Sequence, residues 1–189
     1  MALARDKNAF IRVGGGENWG DTYRSVKTFN QAQDSYKYHA LGGAVSTVTP
    51  MGWTFQGGLG ATTGSRLFGL GVDQVLQIEA VLPQGQHVRF GPTSWEDEEG
   101  FLHPKTTAVS GVCNTNPDED EANWIWEPCP TEIKFDDLWF AFRGGGGGTW
   151  RIVTSIYLQL HNYLPVEKAS GLTRSYFMEE DKCNICQRH

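Results

Sequence analysis

The sequence lacks a long apolar run and has no excess of positive charge. No stretch approaches the ~18 consecutive apolar residues that a membrane-spanning helix needs, and the opening MALARDKNAF has no apolar core of signal-peptide length. Lys and Arg number 16 against 22 Asp and Glu in 189 residues, a net charge of −6. We therefore expect no membrane segment in this chain and no nucleic-acid partner.

Complete motifs for metal and nucleotide sites are also missing. Cys183 and Cys186 form a CxxC pair and His189 follows, but nothing obvious supplies the fourth ligand of a closed zinc site. A redox CxxC normally lies within a βαβ pattern, which does not surround this pair. No glycine cluster has the Lys-Ser/Thr ending of a P-loop or the GxGxxG spacing of a Rossmann fold. We therefore assign no metal site and interpret the pair as incidental.

The other two cysteines, Cys113 and Cys129, flank a polar, acidic stretch. They leave two alternatives open, a loop-closing disulfide formed in an oxidising compartment or two free thiols. The residues alone do not decide between them.

Glycine is present in excess. It supplies 23 of the 189 residues, against an average usage of about 7%, and five glycines in a row occupy 144–148. Other clusters lie at 14–16, 42–43 and 57–60. Glycine allows close backbone approach, and consecutive bare N–H groups form concavities for anions such as phosphate. The clusters are therefore either simple tight turns or a backbone surface kept bare for one elongated ligand.

Hydrophobic periodicity predicts an α+β fold. Phe10 to Val13 is predicted as a strand, and a helix follows from about Trp19 to Phe29 with Asn18 as its N-cap. Residues 75–90 are predicted as a β-hairpin that turns at PQG. Residues 152–160 carry apolar side chains at period two, which indicates a strand.

Other segments are less regular. Residues 41–71 hold many glycines and are predicted as short β pieces joined by tight turns, because glycine disfavours helices. Residues 92–132 are acidic and contain prolines, which favours a long surface excursion. Residues 134–142 are predicted as a short helical turn, and 165–189 as a polar tail.

Three motifs in a fixed order resemble the vanillyl-alcohol-oxidase family of flavoproteins, whose FAD-binding domain is of the PCMH type. They are TVTPMGWTFQGGLG (47–60), FGLGVDQVLQIEAVLPQG (68–85) and DLWFAFRGGGGGTWRIVTS (137–155). Within that family the chain looks most like the berberine-bridge-enzyme-like FAD-linked oxidoreductases, from about Arg12 to Leu164. The resemblance implies the second subdomain of an incomplete FAD-binding domain, with a mixed or antiparallel sheet and flanking helices.

The resemblance also implies FAD as the cofactor and a set of residues along it. Gly144 to Gly148 would bend the chain so that the last strand passes close to the cofactor. Asp73 is expected to bond within its own turn, and Arg143 to form a salt bridge or packing contact rather than to counter the diphosphate charge. The implied cofactor-binding residues are Thr47, Val48, Gly52, Gly57, Gly58, Gly60, Ile152 and Val153.

The chain departs from the family pattern at several points. It begins after the segment whose histidine often carries covalent flavin, and it ends before the substrate domain. Val45 stands where some members have a second, cysteine link to flavin. Arg151 replaces a usual glycine, so its side chain either crowds the cofactor or points outwards. The expected organisation is a partial FAD-binding domain over 1–164 and a short tail over 165–189.

The function implied is the FAD-binding portion of a flavin-dependent oxidoreductase, in which flavin takes a hydride from a small organic substrate. Catalytic residues stay unassigned, because the substrate domain is missing, so whether this chain acts as an enzyme by itself is undecided. The alternative is a truncated or degenerate, non-catalytic flavin-fold protein. A Trp-rich carbohydrate-binding domain would explain the aromatics but not the order of the motifs. Full-length relatives are often secreted, but compartment and oligomeric state are undetermined.

Overall fold

A computed structural model describes residues 9–32, 37–60, 64–96, 102–143 and 149–162. The glycine run at 144–148 and the predicted tail at 165–189, with its cysteine pair, lie outside these ranges. Two short 3-10 turns cover Gly71–Gln74 and Glu121–Asn123. The other elements are β1 (Phe10–Gly14), α1 (Trp19–Gln31), β2 (Tyr38–Ala40), α2 (Pro50–Phe55), α3 (Gly64–Phe68), β3 (Val75–Val81), β4 (His87–Glu96), β5 (Leu102–Asn114), β6 (Trp126–Glu127), α4 (Phe135–Arg143) and β7 (Ile152–Asn162).

The described strands pair antiparallel throughout, in the order β1-β7-β3-β4-β5-β6. The short β2 pairs with the end of β7. Strand β7 therefore joins the N-terminal strand to the β3–β4 hairpin, although these are distant in sequence. The α+β class is confirmed, with an antiparallel sheet and few helices.

The clearest local signals produced the expected elements. The side chain of Asn18 accepts a hydrogen bond from the Asp21 amide at 3.0 Å and caps α1, as an N-cap should. Strands β3 and β4 form the predicted hairpin, and its turn places Gly85 at φ +84°. The predicted strand at 152–160 is the core of β7.

One face of the sheet is apolar and carries the core. Ile78, Phe90 and Ile156 are cross-strand neighbours on this face and are fully buried. Helix α4 packs here, with Phe142 5.8 Å from Phe90 between ring centroids, and Phe55 of α2 lies 5.6 Å from Phe142. Helices α2 and α4 therefore cover the apolar face together.

The opposite face is polar and is centred on Glu79. Its carboxylate accepts hydrogen bonds from Ser155 and Tyr157 at 2.6 Å each, and from Arg12 at 2.7 Å. Burial alone would raise the pKa of the Glu79 carboxyl, but these hydrogen bonds and the Arg12 charge outweigh burial and lower it. The sheet thus holds one ionised carboxylate at the meeting point of β1, β3 and β7.

The prediction of short β pieces over 41–71 is wrong. This stretch contains α2 and α3 between its glycines, and a 3-10 turn begins at its last residue, Gly71. Thr49 caps α2 by accepting from the Gly52 amide at 3.3 Å, and Pro50 occupies the first helical position, where proline is favoured. The Thr49 cap and Pro50 therefore favour a helix here despite the high glycine content.

The irregular excursion predicted over 92–132 also differs from the structure. Strand β4 continues to Glu96, and β5 runs from Leu102 to Asn114, so the two strands form a long hairpin. The segment after β5 is closed by a disulfide between Cys113 and Cys129. Of the two alternatives for these cysteines, the structure has the disulfide.

Candidate functional site

The first turn of α1 holds the loop that contains Thr47 and Val48. The Trp19 amide donates to the Val48 carbonyl at 3.0 Å, and the Gly20 amide donates to the Ser46 carbonyl at 2.9 Å. Amides at a helix start have no partner within the helix, and here the loop carbonyls supply it. The position of the loop is thereby set by α1.

Aromatic side chains of α1 contact Gly42 and Gly43, which precede this loop in sequence. The Tyr23 hydroxyl donates to the Gly43 carbonyl at 2.7 Å, and burial raises the pKa of Tyr23 to about 12, so it remains a neutral donor. A Cβ on Gly42 would lie 2.5 Å from the Trp19 ring. These glycines are therefore needed for packing against indole and phenol rings.

Two of the predicted segments meet at Gly15. The Gly15 amide donates to the Thr154 carbonyl at 2.9 Å. A Cβ built on Gly15 would lie 3.2 Å from the Val153 carbonyl oxygen and 4.0 Å from the Met51 methyl. Met51, in the first turn of α2, and the start of β7 thus lie beside the same glycine, although about 100 residues separate them in sequence.

Apolar side chains around this junction are exposed. Ile152 is 71% exposed and Val48 is 38% exposed, and Val45 and Trp150 are exposed as well. Thr47 and Gly52 also lie at the surface, while Val153 is half-buried and pairs with Ala80. We call Val45, Val48, Gly52 and Ile152 with Gly15 the candidate surface.

The remaining predicted residues belong to a different set of contacts. The carbonyls of Gly57 and Gly58 accept from the Val72 and Gly71 amides at 3.1 and 2.8 Å, and the Gly60 amide donates to the Ser65 hydroxyl at 2.8 Å. This turn is therefore tied to the 3-10 turn at Gly71–Gln74 and to α3, rather than to β7.

The backbone of the same turn requires glycine for reasons of its own. Gly58 has φ +73°, and its Cβ would lie 2.8 Å from Trp53. Gly57 has φ +101° with open space around it. Both positions favour glycine through their backbone angles, and Gly58 additionally through packing.

Asp73 and Arg143 have the structural roles expected of them. The Asp73 carboxylate accepts from the Leu70 amide in its own turn at 3.1 Å and pairs with Arg143 at 2.8 Å. This ion pair connects the second and third sequence motifs, and the Arg143 guanidinium also lies 5.3 Å from the Trp139 ring.

The Arg151 side chain faces a hollow outside the Gly15 junction. Its guanidinium donates to the Trp150 carbonyl, and the side chain lines a cavity of about 380 Å³ with Leu82, Lys134 and Asp137.

Sequence reasoning missed three positioning residues. In the sequence, Gly15 belongs to a glycine cluster typical of a turn, and no local pattern predicts the contacts of Trp19 and Trp53. The signal for the indoles lies in the glycines themselves, since a Cβ added to any of four glycines would lie 3.0 Å or less from an indole ring atom. These four are Gly42, Gly43, Gly58 and Gly71. Bulky rings beside several glycines explain part of the glycine excess.

Known proteins have sequences similar to that of this chain. The chain is 26% identical over 161 residues to the FAD-linked oxidoreductase notD of Aspergillus sp. (strain MF297-2), and 31% identical over 156 residues to the FAD-linked oxidoreductase apf9 of Gibberella fujikuroi. These matches cover 85% and 82% of the chain. The chain is similar to the FAD-linked oxidoreductases.

The similarity concerns one part of those relatives. The chain spans 18% of the length of each FAD-linked oxidoreductase. The VAO-type flavoprotein MtVAO615 from Myceliophthora thermophila C1 has the same fold, with a TM-score of 0.50 and 22% identity over 85% of this chain and 21% of its own. No family model matches the chain. In the part of the chain that the structure describes, no helix is both long enough and apolar enough to span a bilayer.

Proposed function

We propose that this chain supplies one wall of the FAD site in a flavin-dependent oxidoreductase. The observation that carries the proposal is that Gly15 lies beside both Met51 of α2 and the start of β7. The names of the FAD-linked oxidoreductases that it resembles support FAD as the ligand. Residues 1–164 are then part of an FAD-binding domain.

The chemistry of the candidate surface suits a large, flat cofactor. Exposed Val48 and Ile152 offer apolar contact to a ring system, and binding sites for such ligands are mostly apolar with a few polar groups. A Cβ on Gly16 would meet nothing within 4 Å, so the backbone there is open to close approach.

The proposal assigns roles to the eight predicted residues. Thr47 and Val48 would contact FAD from the loop before α2, Gly52 from the first turn of α2, and Ile152 and Val153 from β7. Gly57, Gly58 and Gly60 would shape the neighbouring turn. FAD would supply the two-electron acceptor for hydride transfer from a small organic substrate, while the protein binds and orients it.

The experiment is a titration of the purified full chain with FAD, read by the visible absorbance of bound flavin and by thermal unfolding. At 100 times Kd, a ligand specific for the folded state adds about 2.7 kcal/mol of stability, which raises Tm by roughly 5–11 °C for a domain of this size. No bound flavin after dialysis and no change in Tm at saturating FAD would reject the proposal.

A matched pair of variants locates the site. Ile152→Ser should weaken FAD binding about tenfold, or about 1.4 kcal/mol, because it removes an exposed apolar contact. Leu67→Ser is the control, because Leu67 is also exposed but lies on α3. Equal FAD affinity in the two variants would contradict the assignment.

A non-catalytic flavin-fold protein is the second candidate. It is favoured by the glycines that pack against the Trp19 and Trp53 rings, because these need no cofactor to explain them. A well-folded chain with no measurable FAD affinity would support this candidate over the first.

A further inference from the structure

Residues 115–128, here called the flap, cover the polar face of the sheet. The Arg89 guanidinium lies 4.4 Å from the centre of the Trp126 ring. His87 is flanked by Trp124 and Trp126, with ring centroids 4.8 and 5.0 Å away. The flap thus shields His87, which is 6% exposed.

Besides these ring contacts, short elements hold the flap. Strand β6 has only two residues and pairs with Cys113 and Asn114, and the Thr115 amide donates to the Ile125 carbonyl at 2.9 Å. Glu121 pairs with Arg12 at an exposed site, where such pairs contribute little. Among the described residues, the Cys113–Cys129 disulfide is the one covalent cross-link, and it connects the two ends of the flap. The non-covalent contacts that join the flap to the sheet are few among these residues, so we expect this bond to matter for its position.

A series of contacts leads from the flap to the candidate surface. Nδ1 of His87 lies 3.2 Å from the Asn114 amide nitrogen, and Nε2 lies 3.5 Å from the Thr154 hydroxyl. If Asn114 donates to Nδ1, the proton of the neutral ring sits on Nε2 and faces Thr154. Burial lowers the pKa of His87, which favours this neutral form. The Thr154 carbonyl in turn accepts from Gly15.

We propose that the Cys113–Cys129 disulfide is a redox latch that keeps the flap on the polar face and, through His87 and Thr154, holds the start of β7 against Gly15. Reduction would release the flap and loosen the contact at Gly15. The latch concerns the conformation of the chain and does not require that FAD binds.

The reductant is a dithiol. Cys113 is buried, whereas Cys129 is partly accessible, so a thiolate of the reductant attacks the Cys129 sulfur and the Cys113 thiolate leaves. The second thiol of the reductant then attacks the mixed disulfide and releases Cys129. Two electrons and two protons end on the cysteines, and the reductant becomes a disulfide.

The test compares hydrogen exchange in the oxidised and dithiol-reduced full chain, with Cys183→Ser and Cys186→Ser in both so that one disulfide responds. On reduction, protection at the Gly15 amide should fall by about tenfold or more, and the flap should become sensitive to limited proteolysis. The core amides of Ile78 and Ile156 should keep their protection.

Three results would overturn the latch. The first is a flap whose sensitivity to proteolysis does not change on reduction. The second is a flap that becomes sensitive while protection at Gly15 stays the same. The third is a uniform loss of protection that includes Ile78, because the disulfide would then only stabilise the whole fold. A double variant tests, without reduction, whether the flap acts on Gly15 through His87 and Thr154. Oxidised chain with Trp124→Ala and Trp126→Ala should show the same loss at Gly15, and full protection there would contradict the role of His87.

Discussion

Glu79 is the one charged residue of strand β3, and it is only 1% exposed. Hydroxyl donors from Ser155 and Tyr157 and the Arg12 guanidinium compensate its loss of hydration. Burial and the hydrogen bond to Glu79 both raise the pKa of Tyr157, so this donor stays protonated. A buried carboxylate requires such partners, which explains why three strands contribute polar residues at one point.

Glu79→Gln is expected to destabilise the chain by about 2 kcal/mol, since hydrogen bonds to charged groups contribute about 1.5–3 kcal/mol. Urea unfolding at neutral pH would measure this loss. Glu119→Gln, at an exposed position, is the control and should change stability by less than about 0.5 kcal/mol. If Glu79→Gln left the free energy of unfolding unchanged, the hydrogen bonds of Glu79 would contribute nothing to folding.

The same residue sets an acid response. Because the Glu79 pKa is lower in the folded than in the unfolded chain, its stabilisation is complete above the unfolded pKa of about 4.3. That stabilisation is lost as pH falls through the folded pKa. Stability curves of the wild type and Glu79→Gln should therefore converge below roughly pH 4, and a constant difference between them would contradict the lowered pKa.

Gly15 and Gly16 offer a matched pair at the junction. Gly15→Ala should cost about 1 kcal/mol, as small overpacking does, because its Cβ would press on the Val153 carbonyl at 3.2 Å. Gly16→Ala meets no atom within 4 Å and should be near neutral. Thermal unfolding of both variants checks this, and equal effects would mean that the close approach at Gly15 is unimportant.

Among the elements, α4 shows how one helix divides its aromatic residues. Phe142 is fully buried against Phe55 and Phe90, whereas Phe140 is 79% exposed. Helical periodicity places these two residues on different faces. Residues 134–142 are predicted as a short helical turn, and the structure has a helix from Phe135 to Arg143.

Phe142→Ala should cost about 3–5 kcal/mol, because it leaves a cavity between α2, α4 and the sheet. Phe140→Ala on the same helix should change stability by less than about 0.5 kcal/mol. Denaturant unfolding of the two variants measures both values. A small effect of Phe142→Ala would mean that α4 does not anchor the apolar face.

At the scale of the whole molecule, the buried His87 and the half-buried His39 make stability depend on pH. Burial lowers the pKa of both His39 and His87, so the unfolded chain binds protons more readily than the folded chain. Their contribution is therefore full above about pH 6.5 and is lost as pH falls towards the folded pKa values, with a slope of at most about 1.4 kcal/mol per pH unit for each histidine.

The double variant His39→Gln with His87→Gln should flatten this slope. Thermal unfolding between about pH 7.5 and 5 would record it, and the wild type should lose Tm over this range. An equally steep slope in the variant would assign the pH dependence to other groups.

Periodic segments were predictable because their signals are local. The Asn18 cap, the PQG turn and the period-two pattern of β7 depend on residues within a few positions of one another. The helices in 41–71 were missed because glycine content was weighed above the Thr49–Pro50 start signal. The β4–β5 hairpin was missed because its far strand enters an acidic, proline-bearing stretch.

The sequence by itself determined the α+β class, the main strands, the resemblance to FAD-linked oxidoreductases and the structural roles of Asp73 and Arg143. Only the tertiary structure decided that Gly15 lies between Met51 of α2 and β7, that indole rings account for several glycines, and that Cys113 bonds to Cys129. The physical reason is that these contacts connect residues far apart in the chain. Their geometry depends on how the sheet and helices pack, which no local pattern of residues encodes.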